Sequence, residues 1–383
     1  MDLDLTEDQL AFRDAVREFA TEVIAPAAPE MDRTGEFPLE IVRRLGELGV
    51  FGLPFPEDVG GLGSDLTTLC LCLEELGRVD SSVAITVEAA VGLGANPVYR
   101  FGTDEQRRAW LGSMCRGEIL GAFALTEPGG GSDARAIRTR ATLEDGEWRI
   151  DGSKAFITNC GTALSKVCTV AARDEEAGDI TMILVPLDAA GARVGPAYRK
   201  IGWHASDTHE LSFDGVRVPE ANLLGERGRG YAQFLEILDD GRVAIAALST
   251  GLARGCLEES VRYATEREAF GRRIGAFEAL QFKIADMKVK VENARSAYLR
   301  AAWLRDRGRP FKAEAAIAKL YASEIAVDCA RDAVQVHGGY GYIEEFPVAR
   351  YYRDAKVLEI GEGTNEIQRV LIARSLGLPG TEL

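Results

Sequence analysis

Glu362 stands between two glycines in the run Glu359-Ile360-Gly361-Glu362-Gly363-Thr364-Asn365-Glu366-Ile367-Gln368-Arg369. An acid with no bulk on either side is open to whatever approaches it, and the backbone N–H groups that start the next helix are free. It reads either as a group exposed to an approaching ligand or as a solvated turn carboxylate. Phe123-Ala124-Leu125-Thr126-Glu127-Pro128-Gly129-Gly130-Gly131-Ser132-Asp133 is a strand running into a glycine-rich turn. Its glycines let the backbone pass close to a flat ligand and aim N–H groups at it, with Thr126 and Ser132 as short polar partners. An ordinary β-turn fits the same residues equally well. In Ala155-Phe156-Ile157-Thr158-Asn159 an aromatic is followed two positions later by a hydroxyl. That pair can cover a ring and bond its edge from one strand face, or Phe156 can sit in a core. Gln335-Val336-His337-Gly338-Gly339-Tyr340-Gly341 ends a helix in glycines, for which a helix C-cap is the plainer reading.

Other chemistries lack their residues. There is no Gly-x-x-x-x-Gly-Lys-Ser/Thr phosphate loop, no Gly-x-Gly-x-x-Gly after a strand, and no strand–helix alternation of a dinucleotide-binding sheet. His204, His209 and Asp207 form a weak metal constellation that reads better as polar loop residues. His337 reads as a structural or ligand-contacting group. Three histidines leave no room for a His-rich metal centre.

The 383 residues carry 45 Lys+Arg against 60 Asp+Glu, a net charge of −15. That balance excludes a nucleic-acid binder and disfavours an anionic membrane surface. No apolar run approaches the roughly 20 residues of a membrane span. The acidic start Met1-Asp2-Leu3-Asp4-Leu5 is unlike a basic leader, and seven cysteines without a Cys-x-x-Cys pair suit a reducing compartment. The expectation is a soluble cytoplasmic protein.

The elements that must position these residues fall in three blocks. Thr6 to Gln9 has capping-box spacing, and apolar residues follow at helical spacing until Pro26 and Pro29 end the segment. Further helices are predicted over Leu39–Leu48, within the Pro-free Leu66–Ala95 stretch, and from Asp104 to Met114. From about Leu120 to Gly228 the chain is rich in Thr and Val, and Asp145-Gly146 sets a tight hairpin turn between two strands. From Tyr231 long helices return. Ile317, Leu320, Tyr321, Ile325, Cys329, Ala333 and Val336 share one apolar face, which points to a bundle.

Taken together, the four runs resemble the acyl-CoA dehydrogenase family, and the likeness covers essentially the whole chain. Thr126 through Asp133 is similar to the family's first signature. Gln335 through Asp354, with Gly338-Gly339, Gly341, Arg350 and Asp354, is similar to its second. The resemblance implies an α+β multidomain fold: an N-terminal α-helical domain over 1–119, a middle β-sandwich or barrel over 120–228, and a C-terminal four-helix bundle over 229–383.

It also implies oxidation of an acyl-CoA thioester to the trans-2-enoyl thioester by tightly bound FAD, with hydride passing from Cβ to flavin N5. The Cα proton is too weakly acidic for a free carboxylate. The reaction therefore needs a positioned base and donors on the developing enolate oxygen. Glu362 matches the family's base, and its pKa should rise when the acyl chain expels water. By resemblance its backbone N–H and a flavin ribityl hydroxyl hold the enolate oxygen. Some relatives place the base immediately before an arginine on the bundle helix. Here that stretch is Asp239-Asp240-Gly241-Arg242, and Gly241 cannot serve. Arg242 and Asp239 would line the substrate channel, with Ser132 and Gly363; a helix ion pair is the plainer reading of the charges.

For FAD, Phe123, Leu125, Thr126, Gly131 and Ser132 match the loop that holds the isoalloxazine, with Phe156, Ile157 and Thr158 on its other side. Thr364 and Glu366 match positions near the nucleotide half. Arg267, Phe270, Glu278, Gln335, Val336, Gly338 and Gly339 match groups that reach the FAD of a neighbouring subunit, an arginine fork suiting pyrophosphate. Such sharing requires an oligomer, in this family usually a homotetramer built as a dimer of dimers. Electrons would pass to electron transfer flavoprotein.

Three positions depart from the family pattern. Ala269 replaces a Thr or Ser, and Glu278 replaces a Gln beside FAD, where it must turn away or pair with an Arg. Gly361 replaces an aromatic and so widens the acyl pocket. Val87–Leu93 and the helix before Arg242 should floor that pocket, for short- to medium-chain or branched thioesters. The competing readings are an acyl-CoA oxidase or flavin monooxygenase on the same fold, and a non-catalytic acyl-CoA-binding paralogue.

Overall fold

A computed structural model describes residues 4–379; the Met1–Leu3 part of the acidic start lies outside them. Helix α1, Glu7–Phe19, begins on the expected capping box: the Gln9 N–H donates to the Thr6 hydroxyl, and the Thr6 N–H to the Gln9 side chain. The prolines do not end this segment. The chain passes through one π-helical turn, Ala20–Ile24, into α2, Ala25–Thr34, and stops only at Gly35. The π turn restarts the hydrogen-bond ladder, so Pro26 falls in a first turn, where an N–H is not needed.

Helix α3, Leu39–Glu47, leads through a Pro/Gly loop to α4, Leu66–Val79. The Leu66–Ala95 stretch is not one helix. Asp80 breaks it and caps α5, Ser81–Glu88, which runs into a second π turn, Ala89–Ala95. Helices α6, Asn96–Phe101, and α7, Asp104–Cys115, complete the first block.

One seven-stranded sheet follows, in spatial order β1-β4-β2-β3-β7-β6, with β5 on the other side of β4. Its strands are β1 Leu120–Ala124, β2 Arg140–Glu144, β3 Glu147–Thr158, β4 Ser165–Asp174, β5 Ile180–Pro186, β6 Ala192–Ala197 and β7 Thr208–Pro219. The β2–β3 turn is the predicted one: Asp145 and Gly146 both take positive φ, which lets the strands keep their twist. Trp148, Ile150, Val170, Val185, Phe213 and Val218 fill a core of the sheet's own.

The last block is built on α8, Gly230–Glu266, with α9, Glu278–Asp306, and α10, Lys312–His337, packed along it. A two-residue ribbon, β8 Glu268–Ala269 and β9 Arg272–Arg273, turns the chain between α8 and α9. Helices α11, Pro347–Ala355, and α12, Asn365–Ser375, close against α10. Among the described residues no helix is long and apolar enough to cross a membrane.

Candidate active site

Glu362 lies in the short loop between α11 and α12, held in a left-handed conformation at φ +52°. Such strain in a non-glycine residue persists only where surrounding contacts enforce it. Here they do. The Lys319 ammonium on α10, itself fully buried, donates to the Gly363 carbonyl and to Asn365 Oδ1, both at 3.0 Å. Ser323 also donates to Asn365, and the Gln368 amide donates to the Gly363 carbonyl at 2.9 Å. Thr364 caps α12, and Glu366 lies exposed in its first turn.

The loop delivers the Glu362 carboxylate into the interior, where neither oxygen meets a donor. Burial pushes its pKa up; the neighbouring Glu88 carboxyl and the charges of Arg242 and Lys319 oppose this only in part. Its backbone N–H has no acceptor among the described residues. The carboxylate fills the space beside α8 that a side chain at 241 would take: an ideal Cβ there would lie 1.9 Å from Glu362 Oε2. Gly241 is therefore more than a position unable to supply a base; its emptiness admits the Glu362 carboxylate from the other loop.

Arg242, next on α8, is almost fully buried and pairs with Asp239 one turn back. The helix ion pair is thus real, yet the Arg242 Nε meets no acceptor. Beyond Gly241, Asp240 pairs with Arg305 at 3.1 Å and faces a cavity of about 30 Å³ lined also by Asn96, Tyr99 and Gly92. That volume has room for a water or two.

The glycine-rich loop is fixed from beneath. Glu127 accepts from the backbone N–H groups of Arg138 and Thr139 and from Lys154 Nζ, at 2.6–2.9 Å. Burial raises its pKa, but these bonds outweigh that and hold it below the usual range. The Ala155 N–H donates to the Thr126 carbonyl, which sets Phe123, Leu125 and Thr126 beside Phe156, Ile157 and Thr158. Ile157 points into the sheet core. Phe156 does not: it is 64% exposed and strained at φ +60°. Gly131 and Ser132 are exposed, and Gly129 and Gly130 have open space where a Cβ would project. An uncovered strained aromatic beside an open glycine cradle fits a flat ring. Two contacts tie this edge to the helices that flank Glu362: the Asn159 amide donates to the Thr86 carbonyl on α5, and Phe123 packs on Phe234 of α8.

The remaining predicted FAD contacts gather elsewhere. Arg267 and the 94%-exposed Phe270 mark the ribbon after α8, and the Arg267 guanidinium lies over the Tyr340 ring. Gln335, Gly338 and Gly339 are exposed at the same end of the bundle, while the Val336 side chain packs into a small core. Glu278, exposed at the N-terminus of α9, has no ion-pair partner among the described residues. No hydrogen bond or ring contact joins this end to the 123–158 strands among the described residues.

His209 pairs with Asp207, which also accepts from the Cys160 and Gly161 N–H groups; His204 bonds carbonyls. Both histidines fix loops.

The sequence reading missed Glu88, Lys319 and the Glu127–Lys154 pair. Glu88 had one signal: it is the lone charge in the apolar run from Ser81 to Ala95.

A buried carboxylate without a cation's hydrogen bond and an open glycine cradle beside an exposed aromatic suit removal of an acidic C–H beside a flat cofactor, the arrangement expected of a flavin-dependent dehydrogenase. Models of the acyl-CoA dehydrogenase N-terminal, middle and C-terminal domains match residues 6–118, 122–216 and 228–377. "Probable acyl-CoA dehydrogenase YngJ" of Bacillus subtilis is 46% identical, over 98% of this chain and 100% of that one. The butyryl-CoA dehydrogenase structure from Megasphaera elsdenii is 40% identical with a TM-score of 0.95, covering 98% of this chain and 100% of that one. A chain solved in work on the electron transferring flavoprotein of Acidaminococcus fermentans is 42% identical, also with a TM-score of 0.95, over 98% and 99%. The chain belongs to the acyl-CoA dehydrogenase family. It is an FAD-dependent oxidoreductase that converts an acyl-CoA thioester to the enoyl-CoA.

Proposed function

We propose that Glu362 is the base that removes the Cα proton in this reaction, acting on short- to medium-chain or branched thioesters. The observation that carries this is the state of Glu362: both carboxylate oxygens are withdrawn from water without a donor, and its N–H is unspent. The carboxylate takes the proton, and the N–H holds the developing enolate oxygen. FAD, when bound, supplies the hydride acceptor. Phe123, Leu125, Thr126, Gly131, Ser132, Phe156 and Thr158 cradle its ring, with Ile157 contributing backbone alone because its side chain fills the sheet core, and Arg242, Asp239, Ser132 and Gly363 line the thioester channel. The name of the butyryl-CoA dehydrogenase relative supports a short acyl chain.

Electrons pass on to electron transfer flavoprotein, a reading supported by the Acidaminococcus likeness. The enzyme works as a homotetramer in the cytoplasm. Phe270, Tyr342, Phe282 and Val289 are more than half exposed, as expected of surfaces that partner subunits cover. Arg267, Phe270, Gln335, Gly338 and Gly339 then reach a neighbour's FAD. All seven cysteines are free and buried, which suits a reducing compartment.

The test is anaerobic mixing of the yellow protein with acyl-CoAs of graded length. Bleaching with short thioesters is expected, and a roughly 10²- to 10⁴-fold slower rate in Glu362→Gln with FAD retained. Unchanged bleaching in that variant would remove Glu362 from the base role.

A further inference from the structure

Glu88 ends α5, and its side chain is fully buried. Neither of its carboxyl oxygens meets a donor from elsewhere in the chain. Two features aim it at the base. The π turn that follows brings Gly92 close enough that a Cβ there would lie 2.8 Å from Glu88 Oε1. Gly241, across the gap, leaves the room that Glu362 fills. The two carboxyl groups lie beside one small cavity that Gly92 and Gly241 both line, each shifts the pKa of the other, and neither has a donor elsewhere in the chain; a bond between them requires that one of them carry a proton.

We propose that Glu88 is a positioning residue for the base: the two buried carboxyl groups hold one proton between them, and Glu88 donates it to the Glu362 carboxylate. This rests on the reading of Glu362 as the base. The proton stays on Glu88 through the reaction while Glu362 accepts the substrate's Cα proton, so no other donor or acceptor is needed.

The surrounding charges decide which carboxyl is neutral. Arg242 from α8 and Lys319 from α10 face Glu362 and favour its charged form. No cation offsets the burial of Glu88, which faces only Glu362 and is pushed well above the carboxylate range by burial and by that neighbour. Asp239 is taken up by Arg242, and Asp240 by Arg305. At the other end of α5, Asp80 pairs with Arg350, and Asp354 accepts from Ser81. Two carboxylates in one dry site cannot both ionise, and the proton settles on the one without cations.

The experiment follows hydrogen–deuterium exchange at Cα of 3,3-dimethylbutyryl-CoA, which has no β hydrogen and cannot be dehydrogenated. Rates are measured against pH for the FAD-loaded wild type, Glu88→Leu, Glu88→Gln and Glu362→Gln. Leucine keeps water out but donates nothing, so the acidic limb should move up by about one to two pH units. Glutamine still donates an N–H, so its limb should stay within about half a unit of wild type. A Glu88→Leu profile that coincides with wild type overturns the proposal, as does a Glu88→Gln profile that shifts as far as that of Glu88→Leu. Exchange that persists in Glu362→Gln overturns the base assignment instead, so the two failures are distinguishable.

Discussion

Two pairs of buried glutamates in this chain have opposite fates. Glu74 and Glu75, on α4, are as buried as Glu88. Yet Glu75 receives Arg17 at 2.8 Å, Arg254 at 2.9 Å and Arg78 at 3.2 Å. Glu74 receives Arg254, Arg295 and the Tyr298 hydroxyl. Burial would raise the pKa of Glu75, but Arg17 and Arg254 bring it down to about 2. Glu88 and Glu362 receive no arginine hydrogen bond and are shifted the other way. Burial is common to both pairs; the supply of donors separates them. Satisfied carboxylates lock α1, α4 and α8 together, whereas a buried carboxylate that no arginine or lysine hydrogen-bonds keeps the raised pKa that taking a proton from carbon requires.

Breaking the structural pair should have the largest effect on stability. Glu75→Gln takes the buried partner from Arg17 and leaves Arg254 with Glu74 and Glu258, and should cost about 2–3 kcal/mol, read as a lower urea midpoint at neutral pH. Because the folded pKa of Glu75 is depressed, its contribution is complete above the unfolded value of about 4.3 and is lost as pH falls towards 2. The loss caused by Glu75→Gln should therefore shrink over that window. A loss that stays constant down to the lowest pH would show that charge is not what the arginines bind.

Gly241→Ala sharpens the catalytic side. Its methyl overlaps the Glu362 carboxylate and should displace the base, lowering the reductive rate by roughly 10²-fold with FAD still bound. An unaffected rate would mean that the carboxylate need not rest against α8.

The smallest effect is expected from Glu88→Gln in thermal unfolding. A carboxyl whose folded pKa is raised opposes folding above its unfolded value, so removing it should stabilise the protein by on the order of 1 kcal/mol, roughly 2 °C, at pH 8. The gain should vanish below about pH 4. A drop at both pH values would make Glu88 a packing residue.

What the sequence made legible follows the same division. The Thr6–Gln9 box, the Asp145-Gly146 hairpin and the helical–β–helical order rest on local geometry, and the structure carries each of them. The Pro26 boundary failed because a π turn is set by packing rather than by a local residue signal. Glu362 stood out through its flanking glycines. Glu88 and Lys319 did not, because each acts on the base across a long sequence separation that no spacing rule reads. Glu127 was read only as part of a glycine-rich run, since its partner Lys154 lies on another strand.

The contrast between the two glutamate pairs is tested most directly by infrared difference spectroscopy of the wild type, Glu88→Gln and Glu75→Gln at neutral pH. The wild type should show the carbonyl stretch of one protonated, buried carboxyl. That band should disappear in Glu88→Gln and persist unchanged in Glu75→Gln. Its absence from the wild type, or its survival in Glu88→Gln, would contradict a shared proton at the active-site pair.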